Sequence, residues 1–89
     1  MQFYGSLIKE QGVTFAIVVV KSSLLNSSEK EKKKNVDKFS TFFPPHVPLI
    51  LMAQDSSSDT PSYYGRKDIV EFLANIDVNR IPFQKYTVT

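Results

Sequence analysis

The stretch His46-Val47-Pro48-Leu49-Ile50-Leu51-Met52, followed by Ser62-Tyr63-Tyr64-Gly65 and then by residues 66–76, decides how the chain is read. Residues 48–54 read as a strand, and 48–53 are apolar at successive positions, the pattern of a strand covered on both faces. Residues 55–61 are polar and read as a turn. Residues 62–65 then form a short strand, expected to run antiparallel to the previous one as a hairpin. Beyond it, Ile69, Phe72, Leu73 and Ile76 fall at i, i+3, i+4 and i+7, the stripe of an amphipathic helix, with Asp68 near its positive N-terminal end. The order is strand, turn, strand, helix.

Working outward, residues 13–21 (Val-Thr-Phe-Ala-Ile-Val-Val-Val-Lys) are nearly continuous and β-branched, which predicts a central strand. Residues 22–26 connect it to a helix. Ser28 and Glu31 stand at capping-box spacing, and Pro44-Pro45 sets the end of that helix near Phe43. Its first turns, residues 29–35, carry no apolar side chain, so docking is expected only through Val36, Phe39 and Phe42 or Phe43. A crossover through this helix makes the two apolar strands parallel. At the N-terminus, Phe3, Tyr4, Leu7 and Ile8 recur at helical spacing and Gly12 sits where a left-handed helix-terminating glycine belongs, which predicts a short first helix. Residues 81–88 alternate and read as an edge strand with Pro82 near its start. The predicted fold is α/β, a small layered sandwich of order α-β-α-β-β-α-β in one domain, residues 1–89. A ferredoxin-like βαββαβ plait is the alternative from Val13 onward. In the plait the final strand lies beside the first; otherwise it is an added edge.

Residues 46–76, by their proline-opened strand, hairpin, glycine and last helix, resemble the C-terminal half of a thioredoxin-like domain. The resemblance implies a thioredoxin-like sheet in which Pro48 matches the cis-proline before the substrate-binding strand; a trans proline opening a strand is the plain alternative. It also implies that the redox motif would fall at Ser22, Ser23, Leu24 and Leu25. No thiol stands there, and disulfide exchange needs a thiolate, so the chain is read as redox-inactive.

Eighty-nine residues with 42% hydrophobic and 22% charged content suit one folded core. Eleven Lys and Arg against nine Asp and Glu leave a net charge of +2, too small to demand an acidic partner. With no cysteine and a single histidine, the sequence offers no disulfide, no thiolate metal site and no multi-histidine site, and no cofactor is expected. The longest apolar run, residues 15–20, is too short to span a bilayer, and the N-terminus lacks a signal-peptide pattern, so a cytoplasmic location without membrane contact is expected.

His46 and Asp55 allow a Ser–His–Asp set on paper, but no Gly-x-Ser-x-Gly turn supports it, and His46 is read as a solvated loop residue. Glu29-Lys30-Glu31-Lys32-Lys33-Lys34 with Lys38 is a possible phosphate-contacting patch, although its acidic members argue for an exposed helix face. Tyr63, Tyr64, Arg66 and Lys67 form the candidate interaction surface, with Lys85 and Tyr86 of the last strand added to it. Tyrosine and arginine are favoured at binding hot spots, and one of two successive strand tyrosines must point away from any covered face. The plain reading packs one ring under each layer, with both hydroxyls at the rim. The chain is thus expected to be a non-catalytic protein-interaction module with a protein partner or a second copy. A nucleic-acid-binding protein, or an enzyme whose site local sequence does not reveal, are the alternatives.

Overall fold

The structure is a computed structural model that describes residues 2–10, 12–54 and 60–87. It is a small mixed α/β fold: strands β1 (Gln2–Glu10), β2 (Val13–Val19), helices α1 (Ser22–Leu25) and α2 (Glu29–Ser40), strands β3 (Leu49–Ala53) and β4 (Ser62–Tyr64), helix α3 (Lys67–Ala74), a 3-10 turn (Val78–Arg80) and strand β5 (Gln84–Thr87). The five strands make one sheet of order β4-β3-β2-β1-β5. β2 is central and parallel to β3, β4 returns antiparallel to β3, and β1 and β5 run antiparallel to their neighbours.

Strand alternation sends side chains to two faces, and a different helix covers each. On one face, Phe15, Ile17, Ile50 and Met52 pack with Ile69 and Leu73 of α3 and with Ile81. On the other, Phe3, Ala16, Val18, Leu49 and Leu51 pack with Phe39 of α2. This double cover explains why β2 and β3 read as unbroken apolar runs.

The N-terminal segment is a strand, where the sequence predicts a helix. Glu10 pairs with Val13 across a two-residue connection, and Gly12 has φ +79. A left-handed glycine serves a helix terminus and a tight hairpin equally well, so the local signal is shared by both. Gly5 and Ser6 are poor helix formers, and pairing with β2 settles the matter. Gly5 is also required by packing: a Cβ there would lie 2.9 Å from the Ile17 carbonyl oxygen and 3.4 Å from the Tyr86 ring. The element order is therefore β-β-α-α-β-β-α-β. β5 lies beside β1 and not beside the Val13–Val19 strand, so it is an added edge and the plait's strand order does not hold.

Helix α2 begins at the Ser28 cap, whose Oγ accepts from the Glu31 N–H at 3.3 Å. It stops at Ser40, and Phe42 and Phe43 turn off its end onto Phe3 at ring-centroid distances of 5.4 and 6.4 Å. The connection expected at residues 22–26 contains the single helical turn α1. The Val47–Pro48 bond is trans, and the preceding His46 takes φ 67, an uncommon value for a residue other than glycine. Residues 55–59 of the expected polar turn, Asp55 of the paper Ser–His–Asp set, and Val88 of the expected last strand lie outside the described residues.

Candidate interaction edges

Backbone hydrogen bonds fix which strand residues face outward. Ala16 N–H donates to the Pro48 carbonyl at 2.9 Å and Val20 N–H to the Met52 carbonyl at 2.8 Å. Even-numbered residues of β2 therefore face β3, and Val13, Phe15 and Ile17 face β1. Their partners Glu10, Ile8 and Ser6 use their backbone groups toward β2, because hydrogen-bonded and non-bonded pairs alternate in an antiparallel ladder. The groups of Phe3, Gly5, Leu7 and Lys9 then point the other way. Phe3 and Gly5 meet Tyr86 and Gln84 of β5, and among the described residues no strand lies opposite Leu7 and Lys9. By the same alternation Lys85 and Thr87 direct their backbone groups away from β1, into the open side of the sheet.

Aromatic side chains crowd this open side. Tyr86 stacks on Phe3 with ring centroids 4.9 Å apart and planes 3° from parallel, and lies 5.3 Å from Phe43. Phe39 meets Phe3 edge-on at 5.2 Å. The Tyr86 ring also covers the gap left by Gly5, a role aromatic neighbours commonly fill beside strand glycines. Leu7, on the same face as Phe3 and Gly5, is 45% exposed, and on the opposite face Tyr4, paired with Lys85, is 54% exposed. Ser6, next along the Tyr4 face, is buried, its hydroxyl donating to the Pro82 carbonyl at 3.2 Å and fixing the chain just before β5.

The other edge is built differently. Odd-numbered residues of β3 face β4, so Tyr64 and Ser62 bond to Leu51 and Ala53, and Tyr63 alone directs its backbone outward. Tyr63 packs its ring on the α3 side and Tyr64 on the α2 side, as alternation requires. The Tyr64 hydroxyl donates to Glu29 Oε2 at 2.8 Å, Lys32 Nζ is 3.2 Å from Glu29 Oε1, and Lys32 Nζ lies 4.7 Å from the Tyr64 ring centroid. The hydrogen bond from Tyr64, followed by that from Lys32, holds the Glu29 carboxyl below its ordinary value, and the bond to Glu29 raises the Tyr64 hydroxyl. The polar start of α2 is thus docked on β4, although its sequence gives it no apolar contact, and the Lys32 side chain is only 15% exposed. The Tyr63 hydroxyl is buried and has no hydrogen-bond partner among the described residues, rather than reaching the rim; burial raises it.

Arg66 and Lys67 are exposed beside this edge. Arg66 forms a two-pronged pair with Asp68 at 2.8 and 2.7 Å, which lowers the Asp68 carboxyl to about 2. An open groove of about 550 Å³ runs past Glu29, Lys33, Tyr64 and Arg66, its walls carrying both signs of charge.

The sequence-predicted surface therefore divides. Tyr63, Tyr64, Arg66 and Lys67 lie at the β4 edge, while Lys85 and Tyr86 lie at the β5 edge, four strand spacings or about 19 Å away. They do not form one patch. Phe3, Phe43, Tyr4, Leu7 and Lys9 border the open edge, and the sequence does not single them out for it, because residues 3–9 carry apolar pairs at helical spacing with no strand alternation. Among the described residues no three His, Asp or Glu side chains gather as metal ligands, and no helix is long and apolar enough to cross a membrane. No protein-family model, curated protein or solved structure matches the chain.

Proposed function

We propose that the chain is a non-catalytic, redox-inactive protein-interaction module that engages its partner by strand addition at the β5 side of its sheet. The observation that carries this reading is the run of outward backbone groups at Lys85 and Thr87, continued at Leu7 and Lys9 and bordered by Tyr86, Phe43 and Tyr4. An added strand gains affinity from main-chain bonds and specificity from the side chains beside them. Aromatic residues at such a margin supply large contact area at small entropic cost. The lysine run of α2 lends little to a nucleic-acid reading, because Lys32 is paired with Glu29 and laid over Tyr64.

The test uses Thr87→Pro. The Thr87 N–H points away from β1, so proline there removes an outward donor and leaves the ladder to β1 intact. Capture of partners from a lysate of the source cell should be lost with Thr87→Pro while the circular dichroism spectrum of the folded domain stays that of the wild type. Unchanged capture would remove the β5 edge from the function.

A further inference from the structure

We propose that the strand added at this edge is β5 of a second copy of the chain, paired antiparallel about a two-fold axis at Tyr86. The inference rests on the strand-addition reading and names its occupant. A two-fold axis perpendicular to the sheet makes the same strand pair with itself in antiparallel fashion. Only residues with outward backbone groups can exchange hydrogen bonds, which limits β5 to registers built on Lys85 and Thr87. Placing Lys85 opposite Lys85 sets like charges face to face and is disfavoured. Placing Lys85 opposite Thr87 removes that conflict, forms four main-chain bonds, and brings Tyr86 against its own copy as the intervening non-bonded pair, with Cα atoms about 4.5 Å apart.

That register also joins what each copy leaves unfinished. Tyr86 is half-buried, with Phe3 stacked on its ring and Phe43 at its margin, and the half-buried Phe42 adjoins them on Phe3. Tyr86 against Tyr86 carries this aromatic group across the axis, so that the two α2 faces become continuous over a ten-stranded sheet. On the other face the exposed Tyr4 flanks Lys85, which lies against the neutral Thr87 of the second copy.

Because the sequence contains no cysteine, the register can be read by introduced thiols. Sedimentation of the wild-type chain should give twice the 10.1 kDa monomer mass. Tyr86→Cys, oxidised under those conditions, should form a disulfide-linked dimer. Lys85→Cys alone should not, since its copies lie farther apart than the roughly 7 Å limit between bridged Cα atoms. The double variant Lys85→Cys/Thr87→Cys, which spares the Tyr86 ring, should crosslink even if Tyr86→Cys fails to fold. A wild type that stays monomeric at high concentration, with neither Tyr86→Cys nor the double variant crosslinking, would overturn self-pairing. Lysate capture that still depends on Thr87 would then leave the strand-addition reading standing. Efficient crosslinking of Lys85→Cys or Thr87→Cys to itself would overturn the register.

Discussion

The two edges of this sheet are finished in opposite ways. β4 is three residues long, turns the backbone of one residue outward, and is tied by Tyr64 to Glu29 and Lys32 of α2. On the β5 side, four residues on two strands face outward, with no strand beyond them among the described residues. Short strands and charged side chains at the margin are common protections against edge-to-edge pairing, and the β4 side uses both. β5 carries one lysine, and its margin is aromatic. Under the proposed strand addition, association falls to one edge and closure to the other, and variants can test each half of it.

The largest loss of stability should come from the layer common to both edges. Leu73 is fully buried under β2 and β3, so Leu73→Ala should cost about 2 to 5 kcal/mol in chemical denaturation. Phe72 lies in the same helix but is half-buried, which makes its truncation the milder one, contrary to what the helical stripe alone implies. Next comes Gly5→Ala, which presses a methyl group on the Ile17 carbonyl and the Tyr86 ring and should cost about 1 to 3 kcal/mol while weakening association. Lys32→Ala removes the cation from the Tyr64 face at the closed edge and should cost about 0.5 to 1 kcal/mol, with association unchanged. Equal effects of Gly5→Ala and Lys32→Ala on association would erase the distinction between the edges.

The smallest effects are electrostatic and appear as pH dependence. Glu29 and Asp68 have folded values below their unfolded ones, so their contribution is present above about pH 4 and is lost as pH falls through the folded values, near 2 for Asp68. Tyr64 is shifted upward, so its contribution is present below its unfolded value and is lost as pH rises through the folded one. In an NMR titration, Tyr64→Phe should return the Glu29 carboxyl toward its ordinary value and leave Asp68 where it is. A Glu29 titration unmoved by Tyr64→Phe would show that the hydrogen bond closing the β4 edge is not formed in solution.

Much of the fold was legible from periodicity. The unbroken apolar runs gave β2 and β3 as doubly covered parallel neighbours, the i, i+3, i+4, i+7 stripe gave α3, and alternation put Tyr63 and Tyr64 on opposite faces. β1 was not legible, because Gly12 signals a helix end and a hairpin alike and only pairing with β2 separates them. That error concealed the open groups of Leu7 and Lys9. The alternation of residues 81–88 assigns Ile81 to the last strand, whereas it is buried in the core on the α3 side and β5 begins at Gln84. The reach of Tyr64 to Glu29 and the stack of Tyr86 on Phe3 join residues far apart in sequence, and no local pattern encodes such contacts.

Amide hydrogen exchange read residue by residue by NMR, across a dilution series, tests the open edge most directly. Lys85 and Thr87 should be protected at high protein concentration and lose that protection on dilution, while Leu7 and Lys9 exchange rapidly throughout and Tyr63 shows no dependence on concentration. Rapid exchange of Lys85 and Thr87 at every concentration, or concentration-dependent protection at Tyr63, would contradict association through β5.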